Sequence, residues 1–87
     1  MSIDEIFANA VKVIKEFKQQ PTNEEKLTLY QYYKQATVGD INSPQPGYLE
    51  FTAKAKWNAW NSVKGMTCEN AKIMYIKTVS VLTDKYD

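Results

Sequence analysis

The segment TNEEKLTLYQYYKQATVGD, Thr22–Asp40, contains the local signals that begin and end a helix. Thr22 is followed three residues later by Glu25, which matches a capping box: the hydroxyl and the carboxylate each accept a hydrogen bond from a free backbone N–H. At the other end, Gly39 can adopt the left-handed conformation that stops a helix. The segment therefore predicts a helix over about residues 23 to 38.

Apolar residues at three- and four-residue intervals predict more helices on either side of this segment. The first stripe ends before Pro21, which cannot continue a helix, and consists of Ile3, Phe7, Ala10, Ile14 and Phe17. A third helix is predicted over about Phe51–Val63, and Thr67 is the predicted cap of a fourth that runs to about Lys85. A connection of about ten residues, GDINSPQPGY, joins the second and third helices. No other segment alternates like a strand, so we expect an all-α, four-helix, single domain.

The composition argues against several functional classes. The chain has 87 residues, which suits one domain, and its net charge of +1 argues against broad nucleic-acid binding, which needs a basic excess. The sequence has no histidine and a single cysteine, Cys68, so it offers neither an internal disulfide nor a Cys–His pair, and no metal-ligand spacing appears. We therefore expect no enzyme activity, no metal and no cofactor.

The sequence also argues against a membrane-spanning or secreted protein. The late apolar run IMYIKTVSVL is short and is interrupted by Lys77, so it cannot span a bilayer of about 30 Å. The N-terminal MSIDEIFANA carries acidic residues and does not match a secretory signal. A lone cysteine fits a reducing compartment. We expect a cytoplasmic protein without stable membrane insertion.

Helix 2 places phenols next to an ammonium group. At about 100° per residue, Tyr30, Tyr33 and Lys34 share one face. A second stripe suits the core and consists of Leu29, Tyr32 and Ala36. A single tyrosine would as readily fill an interface between helices with its hydroxyl in water. Two tyrosines beside a lysine favour a recognition surface, because a phenol can stack on a planar base and an ammonium can bind a phosphate.

Helix 3 contains the string KAKWNAW, Lys54–Trp60. Trp57 and Trp60 are three residues apart, and the large contact that they would bury together favours core packing for both. Lys56 lies about 100° from Trp57 and can border whatever the tryptophans cover. Lys54 taken alone suits a solvated face.

These strings together resemble the acyl-CoA-binding protein family. YQYYKQATVGD is followed, at the spacing of the family, by PGYLEF, KAKWNAW and KG, and then by Ala71 and Tyr75. The resemblance extends over nearly the whole chain, from Phe7 to Tyr86. It implies an up-down-down-up bundle of four helices, with one acyl-CoA-binding domain over residues 1–87. It also implies a carrier that binds long-chain fatty acyl-CoA esters one to one, buffers their intracellular pool and is not an enzyme.

The resemblance assigns ligand contacts by position. The adenine and its 3′-phosphate would meet Tyr30, Lys34 and Lys56, and Tyr75 would help to hold the head group from helix 4. The segment from Tyr30 to Lys34 as a whole would border the nucleotide. The predicted site consists of Lys15, Tyr30, Gln31, Tyr32, Tyr33, Lys34, Lys56 and Tyr75. Thr52 stands where many members have a ligand-binding lysine, which puts one phosphate contact in doubt and predicts a somewhat lower affinity.

Two other interpretations of the tyrosine and lysine surface stay open. A helical interaction module would dock an acidic partner helix there, and such a module would ignore acyl-CoA. An acyl-CoA-processing enzyme, such as a thioesterase, would release a free thiol, but the missing histidine counts against it. For the carrier, we expect long-chain fatty acyl-CoA as the partner, a monomeric protein, no nucleic acid, and transient contact with enzymes that use acyl-CoA.

Overall fold

Four α-helices account for most of the chain. The computed structural model describes residues 2–86, and its helices are α1 (Ile3–Lys15), α2 (Asn23–Thr37), α3 (Phe51–Asn61) and α4 (Cys68–Tyr86). Residues 2–86 contain no β-strand, so the predicted all-α fold is confirmed. None of the helices in this part of the chain combines the length and the apolar character needed to cross a bilayer.

Side-chain caps begin α2 and α4 where the sequence predicts them. The Thr22 hydroxyl accepts the Glu25 N–H at 3.1 Å, and the Glu25 carboxylate accepts the Thr22 N–H at 2.8 Å, which completes the capping box. The Thr67 hydroxyl accepts the Asn70 N–H at 3.0 Å at the start of α4. Each cap satisfies an N–H group that has no partner within its helix.

The ends of the helices differ slightly from the sequence prediction. α2 ends one residue early, and Gly39 follows with a φ of +98°, which is the predicted left-handed stop. α3 ends at Asn61 instead of Val63, because the Val63 N–H bonds three residues back, to the carbonyl of Trp60, and tightens the chain into a turn. α1 ends before Phe17, which still packs against the core from outside the helix.

Contacts between α2 and α3 show that these two helices run in the same direction. The Lys56 ammonium lies over the Tyr30 ring, 5.7 Å from its centroid, and the Lys34 ammonium lies 4.9 Å from the centroid of Trp60. The residue numbers increase together along both helices. α2 and α3 are therefore parallel neighbours, although a loop of only thirteen residues, 38–50, connects them.

Contacts of α4 complete the topology. The pairs that α4 forms with the first segment are Phe7–Tyr75 and Phe17–Tyr86, and those with α2 are Tyr33–Tyr75 and Glu25–Tyr86. In the pairs with the first segment, the residue numbers of both partners increase together. In the pairs with α2, the residue number on α4 increases as that on α2 decreases. α4 is thus parallel to α1 and antiparallel to α2, which gives the up-down-down-up arrangement.

The hydrophobic core lies where α4 packs against α1 and α2. Its buried residues come from these three helices and are Phe7, Ala10, Leu29, Ala36, Ala71, Tyr75, Val79 and Leu82. α3 packs on α2 alone and contributes no residue to this buried cluster. Because α3 lies outside the main core, the boundary between α2 and α3 is less completely filled than the boundaries of α4.

The two tryptophans of α3 hold the α2–α3 loop in place. The indole N–H of Trp57 donates to the Ser43 carbonyl at 2.8 Å, and that of Trp60 donates to the Gly39 carbonyl at 2.8 Å. Trp60 is buried as expected, with 6% of its surface exposed, whereas Trp57 is only half-buried. An indole N–H removed from water needs an acceptor, and the loop carbonyls supply it.

A buried glutamine joins three parts of the chain. Gln35 of α2 is 1% exposed, and its Nε2 donates to Asp40 Oδ1 and to the Met66 carbonyl, both at 2.8 Å. Asp40 Oδ1 also accepts the Gly65 N–H at 2.8 Å. The hydrogen bond from Gly65, followed by that from Gln35, lowers the pKa of Asp40 from its usual value. The end of α2, the beginning of the loop and the turn before α4 are therefore fixed to one another.

Candidate functional site

A groove of about 520 Å³ separates α2 from α3, and we call it the α2–α3 groove. Its lining residues are Asn23, Lys26, Leu27 and Tyr30 of α2, and Phe51, Thr52, Ala55 and Lys56 of α3. The middle of the groove is apolar, and none of the eight residues is a carboxylate. The volume lies within the range of about 300–1,000 Å³ that is typical of small-molecule sites.

Two smaller cavities adjoin the α2–α3 groove. The inner cavity, of about 260 Å³, lies between α1, α2 and α4 and is lined by Ile14, Lys26, Leu29, Tyr30, Tyr33 and Tyr75. The loop cavity, of about 200 Å³, is lined by Tyr30, Ser43, Pro46, Ala53, Lys56, Trp57 and Trp60. The three spaces differ in chemistry, since aromatic rings dominate the two smaller ones and aliphatic groups the middle of the groove.

Tyr30 lines all three cavities and is the residue that joins them. Its ring is half-buried, and the Lys56 ammonium lies 5.7 Å from the ring centroid. Lys56 itself lines both the α2–α3 groove and the loop cavity. A ligand that occupied more than one of these spaces would therefore pass along Tyr30, with an ammonium group beside it.

Two lysines near this junction have ammonium groups available for an anion. Lys34 is half-buried, with its ammonium over the Trp60 ring, and Lys56 is exposed. The ion pairs within residues 2–86 are Lys72–Asp4 and Lys85–Glu25, so neither Lys34 nor Lys56 is neutralised by a carboxylate there. Two unneutralised ammonium groups beside an aromatic ring suit a ligand that is both anionic and planar.

Tyr33 and Tyr75 form an aromatic wall of the inner cavity, and both rings also contact Phe7. The ring of Tyr33 stacks on Phe7 with centroids 6.0 Å apart, and it lies 6.2 Å from Tyr75. Tyr33 is 40% exposed, whereas Tyr75 is 4% exposed. Burial, with a smaller contribution from Tyr33, raises the pKa of Tyr75 to about 12. The Tyr75 phenol is therefore neutral at pH 7 and can donate a hydrogen bond.

Four of the eight predicted site residues line the three cavities, and these are Tyr30, Tyr33, Lys56 and Tyr75. A fifth, Lys34, lines none of them but places its ammonium over the Trp60 ring, which lines the loop cavity. The other three, Lys15, Gln31 and Tyr32, line none of the three cavities. Lys15 is exposed and follows Ile14, a residue of the inner cavity. Gln31 is half-buried and accepts a long hydrogen bond of 3.5 Å from Ser62 across α2 and α3. Tyr32 packs against the core, as its place in the predicted core stripe indicates.

Sequence reasoning missed most of the α2–α3 groove. Lys26 and Leu27 lie one helical turn before Tyr30, so the spacing along α2 is a signal that could have found them. Phe51 and Ala55 gave no such signal, because their proximity to α2 depends on the parallel alignment of two helices. Phe51 is 74% exposed at the beginning of α3, which is unusual for a large apolar side chain.

Comparisons with known proteins agree on one family. The family model described as acyl CoA binding protein matches residues 4–79. The acyl-CoA-binding protein of Dictyostelium discoideum is 45% identical over 80 residues, which cover 92% of this chain and 95% of that protein. These matches extend from α1 into α4 and include the α2–α3 groove and the lysines beside it.

Solved structures share the fold as well. Acyl-CoA-binding protein 2 of Oryza sativa superimposes with a TM-score of 0.91 at 36% identity, over 95% of this chain and 90% of that chain. ACBP from Moniliophthora perniciosa gives a TM-score of 0.90 at 41% identity, over 100% of this chain and 85% of that chain. The family consists of binding and carrier proteins rather than enzymes, in agreement with the expectation from the sequence. The chain belongs to the acyl-CoA-binding protein family.

Proposed function

We propose that this protein binds long-chain fatty acyl-CoA esters one to one and acts as a cytoplasmic carrier and buffer of the acyl-CoA pool. The observation that carries the proposal is the position of Tyr30, where an apolar groove meets an aromatic surface flanked by Lys34 and Lys56. An acyl-CoA molecule has two parts that match these two surfaces, an apolar tail and an anionic head that contains adenine.

The α2–α3 groove is the proposed place of the acyl tail. Leu27, Phe51 and Ala55 provide apolar walls, and the groove is open along the surface. Burial of a sixteen-carbon tail contributes up to ~0.8 kcal/mol per methylene, and more than ~10 kcal/mol if the whole tail is removed from water. The open groove removes only part of the tail from water, so the actual contribution is smaller. The tail is nonetheless the largest favourable term.

The proposed head-group site is built around Tyr30. The adenine stacks on phenol rings of Tyr30 and Tyr33, and the phosphates accept hydrogen bonds from Lys34 and Lys56. Tyr75 donates from the wall of the inner cavity. Lys15, exposed beside that cavity, is available to the phosphates, while Gln31 and Tyr32 border the nucleotide through their position in the segment from Tyr30 to Lys34.

The two parts of the ligand have different roles in this proposal. An exposed lysine–phosphate pair contributes on the order of 1 kcal/mol, much less than the tail. A bilayer offers the tail a similar gain, however, so the tail alone cannot draw the ligand out of a membrane. The head group meets stacking rings and ammonium groups only on the protein. The tail therefore sets how affinity changes with chain length, and the head sets selectivity for CoA esters over free fatty acids.

Two substitutions test the head-group site. Tyr30→Ala removes the ring that lines all three cavities, and Lys34→Ala removes an ammonium that lies over Trp60. Each should lose most of its selectivity for hexadecanoyl-CoA over hexadecanoate in a competition assay. Lys77→Ala is the control, because Lys77 is exposed on α4 and lines none of the three cavities. Unchanged selectivity in both site variants would rule out this head-group assignment.

We propose that the carrier is a monomer and that it hands its ligand to acyl-CoA-using enzymes through transient contacts. The net charge of +1 gives no general attraction for nucleic acid, which is not a proposed partner. The acyl-CoA-binding domain extends over residues 1–87 in this proposal. Sedimentation with and without hexadecanoyl-CoA tests the monomer, since a ligand-dependent dimer would show a larger sedimentation coefficient.

A further inference from the structure

Ser43 is an exposed residue of the α2–α3 loop, where residues 41–47 form neither helix nor strand. It is the only serine or threonine of the sequence that precedes a proline, Pro44. The residue before a proline is kept out of the helical region and favours an extended backbone. Within residues 2–86, Ser43 makes its hydrogen bond through the carbonyl and not through the hydroxyl. An enzyme that modifies a hydroxyl can therefore reach this side chain without unfolding a helix.

The backbone of Ser43 is held next to a lysine of the proposed head-group site. The Ser43 carbonyl accepts the indole N–H of Trp57 at 2.8 Å, and Trp57 directly follows Lys56 in α3. Ser43 and Lys56 also line the same small space, the loop cavity of about 200 Å³. Because the lysine side chain is long and flexible, a phosphate on Ser43 can reach the Lys56 ammonium.

The surroundings of Ser43 suit an anion. None of the seven residues that line the loop cavity is a carboxylate. The Lys34 ammonium lies over the ring of Trp60, which lines the same cavity. In the described part of the chain, neither Lys34 nor Lys56 belongs to an ion pair. A phosphoserine has a charge of about −1.5 to −2 at pH 7 and three acceptor oxygens, which match ammonium groups without carboxylate partners.

We propose that Ser43 is a regulatory phosphorylation site and that its phosphorylation weakens the binding of acyl-CoA. A protein kinase forms a bond from Ser43 Oγ to the γ-phosphorus of a nucleoside triphosphate. The bond from that phosphorus to the bridging oxygen breaks, and the nucleoside diphosphate and the hydroxyl proton leave. The new phosphate pairs with Lys56 and repels the phosphates of the ligand. This inference rests on the proposed function, because it takes Lys34 and Lys56 as the groups that bind those phosphates.

A kinase reaction tests whether Ser43 is accessible in the folded protein. The probe is a protein kinase that requires a proline after the acceptor, with ATP as the donor, and the product is mapped by mass spectrometry. Phosphate should appear on Ser43 of the wild-type protein, and Ser43→Ala should take up none. A wild-type protein that stays unmodified would overturn the proposal.

The effect on binding is measured with phosphoserine introduced at position 43 by chemical ligation. The control has phosphoserine in place of Ser80, which is exposed on α4 and lines none of the three cavities. In calorimetry with hexadecanoyl-CoA, phosphorylation of Ser43 should raise the dissociation constant about tenfold, because loss of one exposed ion pair accounts for about fivefold and repulsion adds to it. This effect should shrink at high salt, and phosphorylation of Ser80 should have less than about a twofold effect.

Phosphorus NMR tests the contact in the absence of ligand. An ammonium next to the phosphate lowers the pKa of its second ionisation. In the protein phosphorylated at Ser43, this pKa should be lower with Lys56 present than in Lys56→Ala. Equal values in the two proteins would show that the phosphate does not meet Lys56.

The outcomes separate the inference from the function on which it rests. If the unmodified protein binds hexadecanoyl-CoA and phosphorylation of Ser43 leaves the affinity unchanged, the regulatory site is overturned and the carrier function stands. An equal loss of affinity after phosphorylation of Ser80 would also overturn the site, because a general charge effect would then explain both. If the unmodified protein does not bind hexadecanoyl-CoA or any other acyl-CoA, both the proposed function and the regulation of binding are overturned.

Discussion

Gln35→Ala should destabilise the fold by about 2–3 kcal/mol, because the side chain that it removes fixes three segments to one another. Each of the two hydrogen bonds from Gln35 Nε2 contributes roughly 1 kcal/mol net. Both neighbours, Asp40 Oδ1 and the Met66 carbonyl, are acceptors, so the amide has one favourable orientation and both bonds are lost together. Loss of packing at a site that is 1% exposed adds roughly 1–2 kcal/mol.

One consequence of Gln35→Ala is stabilising and partly offsets these losses. Gln35 Oε1 is buried and has no hydrogen-bond partner among residues 2–86, so its removal relieves a cost of roughly 1 kcal/mol. The net loss is therefore about 2–3 kcal/mol. Equilibrium unfolding in urea at pH 7 measures it directly as a lower midpoint with an unchanged slope.

Gln31→Ala is the matched control for this experiment. Gln31 lies one turn earlier on the same helix, is half-buried and takes part in one hydrogen bond of 3.5 Å. Gln31→Ala should lower the free energy of unfolding by less than about 1 kcal/mol. Equal losses of stability in the two variants would show that the effect follows the type of residue, and that the buried hydrogen bonds of Gln35 do not fix the three segments.

Two further predictions concern other contacts of the fold. Glu25 accepts hydrogen bonds from Lys85, Tyr86 and Thr22, which together lower its pKa from 4.5 to about 2. Stability from this group is thus fully present above pH 4.5 and is lost as the pH falls towards 2. In Glu25→Gln, the free energy of unfolding should therefore decrease less steeply between pH 4.5 and pH 2. Glu24 is an exposed neighbour, and Glu24→Gln should leave this pH dependence unchanged. Trp60→Phe removes the hydrogen bond to the Gly39 carbonyl and should cost about 1–2 kcal/mol in urea unfolding. An unchanged unfolding midpoint for Trp60→Phe would show that the hydrogen bond from Trp60 does not stabilise the loop.

Local signals in the sequence predicted the helices well. The capping box of Thr22 and Glu25, the left-handed Gly39 and the cap at Thr67 all depend on neighbouring residues, so they can be recognised without knowing the fold. The end of α3 was less predictable. The N–H groups of Val63 and Lys64 bond to carbonyls three residues back, and helix ends are generally defined only to within one or two residues.

Long-range arrangement limited what could be predicted of the site. Tyr30, Tyr33 and Lys34 could be grouped because they share a face of one helix. Phe51 and Ala55 could not be joined to Leu27, because that contact depends on two helices lying parallel across a loop. The burial of Gln35 could not be predicted either. A hydrophobic pattern treats a glutamine as exposed, whereas here two acceptors from distant segments make its burial favourable.

Calorimetric titration of the wild-type protein with hexadecanoyl-CoA measures directly whether the protein binds the head and the tail of the ester together. CoA alone and hexadecanoate are the parallel ligands, since each contains one half of the ester. We expect tight binding of the ester with one site per chain, and much weaker binding of both halves, because the α2–α3 groove and the surface around Tyr30 must be occupied together. Binding of the ester no tighter than that of hexadecanoate would contradict this expectation and would leave the lysine and tyrosine surface to another partner.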